Sequence, residues 1–203
     1  MNKITRGFTL IELLIVIALL GALAVALLAA LDPLEQIKKG TDTGVRNTVS
    51  EIAGAMTRYA SVKSGDLPFV KNGPIPWEKI KTSTDAIVAS TIPEVGGVGP
   101  SGSITVGQIA IKSAITAGEL KADFFTLAGE QLNNIWITGQ YTDTVQKIFV
   151  CFRPTAKSFL ADKNTKYYNV NEDDGTMSES STCATSGTGI DTVTEKPCYW
   201  CAQ

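Results

Sequence analysis

The sequence contains no histidine. That removes every histidine-based catalytic triad and the commonest metal ligand. It also has no basic excess: 18 lysines and arginines stand against 20 acids, for a net charge of −2. A general nucleic-acid binder shows a basic patch or stripe, and none is visible here. There is no internal repeat and no long low-complexity tract. Cysteine is sparse, with four residues, at positions 151, 183, 198 and 201. What is present supports one long helix and one modest domain: 203 residues with 44% hydrophobic content.

The apolar content is concentrated in one run, FTLIELLIVIALLGALAVALLAAL, residues 8–31. Its only ionisable side chain is Glu12. As a helix the run is about 36 Å long, enough to cross a hydrocarbon core of about 30 Å. A carboxylate inside such a segment is a functional candidate by default. The plain alternative is a carboxylate resting at the interface, because it lies near the start of the helix.

The preceding segment, MNKITRG, carries Lys3 and Arg6 and no acid. Positive charge there places the N-terminus on the cytoplasmic side. A secretory signal has a 7–15-residue apolar middle followed by a small-residue cleavage site. Here the run is longer, and no A-x-A site is followed by a polar break. A cut at the basic–apolar junction would leave the whole helix on the mature protein. Without Lys3 and Arg6 the remainder has 16 basic against 20 acidic side chains, mildly acidic.

The hexapeptide Gly7-Phe8-Thr9-Leu10-Ile11-Glu12 resembles the class III signal of type IV pilins and pseudopilins. The resemblance covers residues 1–64, and its motif is specific. It implies that a membrane prepilin peptidase cuts between Gly7 and Phe8 and methylates the new Phe8 amine. It also implies that Glu12 serves filament assembly. Helices of that family commonly carry a glycine and a proline eight residues later. Gly21 matches the glycine, Ala29 stands at the proline position, and Pro33 is the nearest proline. Charge physics supports the same role for Glu12. Two buried opposite charges left unpaired are costly, so pairing of Glu12 with a neighbour's Phe8 amine sets register more than raw stability.

From Asp32 the sequence turns polar while the helical period continues. Leu34, Ile37, Thr41, Val45, Val49, Ile52, Met56, Tyr59 and Val62 recur at spacings of three or four, an amphipathic stripe. Pro33 marks the first turn of a new helix or a kink in a continuous one. A continuous spine to residue 64 is favoured over two separate helices. Gly40, Gly44 and Gly54 each weaken it by about 1 kcal/mol relative to alanine, so it depends on packing against a domain.

Beyond the spine, residues 65–77 read as an irregular crossing loop with three prolines. Residues 77–90 read as a short helix resting on Ile80, Ile87 and Val88. Residues 91–107 read as a glycine-rich surface loop. Its Gly96-Gly97-Val98-Gly99 lacks the Lys-Ser/Thr ending of a phosphate loop. Residues 104–115 begin as a strand. Residues 119–133 read as a helix burying Leu120, Phe124, Leu127 and Leu132. Residues 134–140 and 145–153 are two strands of a hairpin around a turn at 141–144. Residues 158–161 and 166–170 are further short strands. The fold class is therefore α+β: a hydrophobic spine helix whose C-terminal half packs on a small antiparallel sheet. Its parts are a leader (1–7), an apolar helix (8–31), an amphipathic continuation (32–64) and a headgroup (65–203).

Two side-chain clusters remain. Asn171, Glu172, Asp173 and Asp174 precede Gly175 and could offer oxygen ligands to calcium. The spacing fails the EF-hand pattern, and a hydrated acidic turn is the stronger reading, so no cofactor is expected. Cys198 and Cys201 have C-x-x-C spacing but follow a Gly/Thr/Ser-rich loop, outside any βαβ unit, which disfavours a redox site. A four-thiolate zinc site would need a second such pair. Cysteines behind an export signal point to an oxidising compartment and two disulfides. Three pairings are possible. A Cys198–Cys201 bridge closes too small a loop to stabilise much, which favours each tail cysteine pairing with Cys151 or Cys183.

Three functions fit. The first is a non-enzymatic subunit of a type IV pilus-like helical filament, for adhesion, motility or DNA uptake. It would sit in the cytoplasmic membrane before assembly machinery moves it into an extracellular fibre. The second is a periplasmic pseudopilin of a type II secretion system. The third, of another class, is a single-pass membrane-anchored binding domain, for which a cleaved leader has no use.

Overall fold

A computed structural model describes residues 7–63, 65, 67, 75–80, 106–142, 145–171, 176–183 and 187–203. The spine is divided. Helix α1 runs Leu10–Ala30 and helix α2 runs Pro33–Val62. Leu31 (φ −100°, ψ 128°) and Asp32 (φ −91°, ψ 91°) between them are non-helical. The cause is local. A residue before proline is pushed out of the α region, and Pro33 is well placed as the first residue of a new helix. The Asp32 side chain accepts the Glu35 N–H at 3.2 Å and caps that helix.

The remaining elements are strand β1 (Ile75–Lys79), helix α3 (Val106–Thr116), helix α4 (Phe124–Ala128) with a 3₁₀ turn (Gly129–Asn134), and strands β2 (Ile135–Thr142) and β3 (Val145–Phe152). Then come the helical turn α5 (Lys157–Leu160) and strands β4 (Tyr167–Val170), β5 (Met177–Ser180) and β6 (Trp200–Ala202). One antiparallel sheet has the order β1-β2-β3-β6, and β4 pairs with β5. Tyr168 and Tyr199 exchange backbone hydrogen bonds of 2.8 and 2.9 Å and join the two sheets.

Alternation in β2 and β3 decides what faces the spine. Ile135, Ile137, Ile148, Val150 and Phe152 share a core with Val45, Val49, Ile52, Ala53, Ala55 and Met56 of α2. Each large apolar side chain so buried contributes about 1.5–3 kcal/mol. The opposite face carries Cys151, Cys201, Val170 and Tyr199, packed by Trp136, Phe149 and Tyr168. The α+β, pilin-like layout is thus an N-terminal apolar helix followed by an amphipathic helix laid on small antiparallel sheets.

Several local readings are corrected. Trp77 lies in strand β1, not in a helix; Ile80 is buried, while Ile87 and Val88 lie outside the described residues. The segment expected to begin as a strand at 104 is helix α3 from Val106, because Gln108, Ala110, Ile111 and Ala114 are buried at helical spacing. The helix expected over 119–133 starts only at Phe124 and stops at Gly129, whose positive φ (50°) ends α4. Leu127 is exposed there, though Leu120, Phe124 and Leu132 are buried. Tyr141 and Thr142 belong to β2; positions 143 and 144 of the expected turn lie outside the described residues.

The strand expected at 158–161 is the helical turn α5. Its opening N–H groups are met from the spine. The Asp42 carboxylate accepts Thr155 N–H (2.7 Å), Thr155 Oγ1–H (3.0 Å) and Ala156 N–H (2.7 Å), and Glu35 accepts Ser158 N–H (3.2 Å). Asp42 is buried. Arg46, one turn along α2, lies over the rings of Trp200 (4.6 Å) and Phe159 (5.6 Å).

Candidate processing and assembly site

Thr9-Leu10-Ile11-Glu12 opens α1 with a capping box. Glu12 N–H donates to Thr9 Oγ1 at 3.3 Å, and Glu12 Oε2 accepts the Thr9 N–H (3.0 Å) and hydroxyl (2.8 Å). The capping box was not read from the sequence, although the T-x-x-E spacing before an apolar run is the signal that could have found it. Gly7 and Phe8 precede the helix in non-helical backbone and are exposed. Phe8 is 79% exposed. Gly7 and Phe8 thus form an accessible, non-helical segment immediately before a capped helix.

No residue of α1 is buried. Its 21 residues reach about 31 Å, the thickness of a bilayer core, and the helix is long and apolar enough to cross one. Glu12 thus sits in the first turn of a membrane-length helix, where its carboxylate also suits the positive end of the helix dipole.

The four cysteines form two bridges. Cys151 is bonded to Cys201 across the β3–β6 pair, and Cys183 to Cys198. Both therefore tie the 198–201 segment inward. Asn171 follows directly after β4, and Glu172, Asp173, Asp174 and Gly175 of the calcium reading lie outside the described residues.

Asp191 was not legible as a structural carboxylate. It is 2% exposed. It accepts a hydrogen bond from Ser180 Oγ, one from Asn169 Nδ2 at 2.7 Å, and the Val193 and Thr194 N–H groups at 2.8 and 3.0 Å. The Ser180 hydroxyl foremost, with Asn169 and the backbone, holds this carboxyl well below the usual carboxylate range, although burial opposes them. The folded value is depressed, so the contribution is complete above the unfolded value of about 3.9 and is lost as pH falls below it. Asp191→Asn keeps the shape but aims an N–H₂ at donors. It should cost about 1–3 kcal/mol near neutral pH, as expected for hydrogen bonds to a charged group. The cost should shrink as pH falls below about 4. Chemical denaturation at pH 7 and pH 3 measures this, and an equal loss at both would remove the charge from the explanation.

A membrane-anchored protein with an accessible N-terminal processing segment is the class these features define. Residues 2–28 match the family described as the prokaryotic N-terminal methylation motif. These residues therefore carry the prepilin signal found in type IV pilins and pseudopilins, which supports processing by prepilin peptidase. The motif also implies anchoring in the membrane before assembly into a filament. No curated protein and no solved structure matches the chain.

Proposed function

We propose that this chain is a structural, non-catalytic subunit of a type IV pilus-like filament at the cell surface. The observation that carries the proposal is the match over residues 2–28, ending within a helix that no other described part of the chain buries. Prepilin peptidase cleaves after Gly7 and methylates the Phe8 amine. The new amine and Glu12 then stand near the start of one apolar helix. As copies leave the membrane, their α1 helices bury one another's apolar surface, which lipid covered before. Glu12 pairs with the Phe8 amine of an adjacent copy and sets axial register. The disulfide-tied headgroup faces outward.

Replacing Gly7 with a bulky residue should leave full-length protein in the membrane, with Met1 or the uncut leader found by N-terminal mass spectrometry. The wild type should begin at methyl-Phe8. Electron microscopy of source cells with and without the chain then tests the filament. Loss of surface fibres on deletion supports a pilin. Intact fibres with loss of protein export would instead assign the chain to a secretion pseudopilus. Met1 retained on assembled protein would end the proposal.

A further inference from the structure

Cys198 and Cys201 stand close in sequence yet take different partners. The strand explains why. Tyr199 exchanges backbone hydrogen bonds with Tyr168, and Trp200–Ala202 pair with β3, which sets Cys201 opposite Cys151. Extended backbone sends residues three apart to opposite faces and separates them by about 10 Å. Cys201 accordingly packs with Cys151, Val170 and Tyr199, and Cys198 with Cys183 and Tyr167. One bridge needs Cα atoms within about 7 Å. A Cys198–Cys201 bridge is therefore incompatible with β6. The pairing that remains is nested, with Cys183–Cys198 inside the loop closed by Cys151–Cys201.

The thiols do not reach the oxidising side in a nested order. With the N-terminus held in the cytoplasm, Cys151 and Cys183 emerge before Cys198 and Cys201. At about 5–20 residues per second, the 15 residues from Cys183 to Cys198 take about 1–3 s. Disulfide formation begins on the scale of seconds. Cys151 is also nearer in sequence to Cys183 than to Cys201, which favours that closure. Once those two are joined, the tail cysteines have only each other, the pairing that β6 forbids.

We propose that the headgroup first forms a Cys151–Cys183 bridge, and that the tail Cys198-x-x-Cys201 pair resolves it by thiol–disulfide exchange before β6 docks. A disulfide oxidant of the exporting compartment takes two electrons and two protons from Cys151 and Cys183 and leaves as a dithiol. The Cys198 thiolate then attacks Cys183 Sγ. The Cys183–Cys198 bond forms, the Cys151–Cys183 bond breaks, and Cys151 departs as a thiolate that takes up the proton Cys198 gave up. No electron is gained or lost. A second equivalent of oxidant joins Cys151 to Cys201. Attack of Cys201 on Cys151 Sγ balances in the same way and leads to the same end. Exchange precedes docking because in the folded headgroup Cys151, Cys183 and Cys198 are wholly buried and Cys201 nearly so. It rests on the exported headgroup of the filament reading, and not on the filament.

The test uses the full chain, pulse-labelled in cells that export it. Thiols are trapped with N-ethylmaleimide at intervals and bridges are mapped on non-reduced peptides. The wild type should pass through a Cys151–Cys183 species and end with the nested pair. Cys198→Ser with Cys201→Ser should hold that species, lengthening its life at least about tenfold. Either serine variant alone should clear it, to Cys151–Cys201 when Cys198 is replaced and to Cys183–Cys198 when Cys201 is replaced. In membranes quenched early with acid and returned to buffer, clearance should quicken about tenfold between about pH 6.5 and 7.5, as the thiolate fraction rises. A first bridge that is Cys183–Cys198 or Cys151–Cys201 would overturn the exchange. So would clearance with no pH dependence, or free Cys151 and Cys183 in the double-serine variant. A wild-type chain that stays reduced with α1 inserted would overturn the exported, oxidised headgroup and the exchange with it. The expected order of bridges in a chain that forms no filament would uphold the exchange and end the filament reading.

Discussion

Glu12→Ala should leave the chain cleaved, membrane-inserted and folded in its headgroup, yet cut filament yield by at least about tenfold. The argument starts from what the carboxylate does before assembly. It is bound to its own Thr9 through the capping box, so it is not an orphan in the single chain. Substitution therefore threatens two things, the helix start and the charge pair. Three variants separate them. Glu12→Leu raises hydrophobicity, which favours membrane retention, but removes both. Glu12→Gln keeps a capping-box residue while deleting the charge. If register comes from pairing with a neighbour's Phe8 amine, Gln should assemble as poorly as Ala and Leu. Wild-type yield from Gln, with failure of Ala, would assign Glu12 to helix capping. Normal yield from all three, with no wild-type copy in the cell, would reduce Glu12 to an interfacial carboxylate.

The parts legible in the sequence were those with local causes. The basic–apolar junction at Gly7–Phe8 and the Val45-Val49-Ile52-Met56 stripe depend on spacing within one segment. So do the alternating strands of the β2–β3 hairpin. The break at Leu31–Asp32 was half legible: Pro33 marked it, but whether it became a kink or a capped start depended on the Asp32 side chain reaching Glu35. What could not be read has distant causes. KSFL at 157–160 looks strand-like because its helical turn is capped by Glu35 and Asp42, more than a hundred residues earlier. Asp42 lies beside an apolar stripe as if by exception, and only its partners at 155 and 156 explain it. Trp200-Cys201-Ala202 is too short to signal a strand. It is held as one by β3, by the Tyr168–Tyr199 bridge and by two disulfides.

Those disulfides carry the largest stability effect expected in the headgroup. Cys151–Cys201 closes a separation of 50 residues and Cys183–Cys198 one of 15. Chain entropy assigns about 4 kcal/mol to the first and about 3 kcal/mol to the second, by restricting the unfolded state. Their sum, about 7 kcal/mol, is comparable with the whole stability of an ordinary domain, about 5–15 kcal/mol. Cys151→Ala with Cys201→Ala should thus lower stability by about 4 kcal/mol, and Cys183→Ala with Cys198→Ala by about 3 kcal/mol. The first pair should leave β6 in place, because Trp200 still packs on Phe152 at 5.7 Å and beneath Arg46 at 4.6 Å. The second leaves the Asp191 network to hold the 187–196 segment. Removal of all four cysteines should leave the headgroup largely unfolded at 37 °C while α1 remains in the membrane, since α1 buries nothing against the described part of the headgroup. Denaturant midpoints for the two double variants test the ranking. If losing Cys183–Cys198 proves the costlier change, local packing around Tyr167, Cys183 and Cys198 outweighs loop length, and the entropic account of the longer bridge fails.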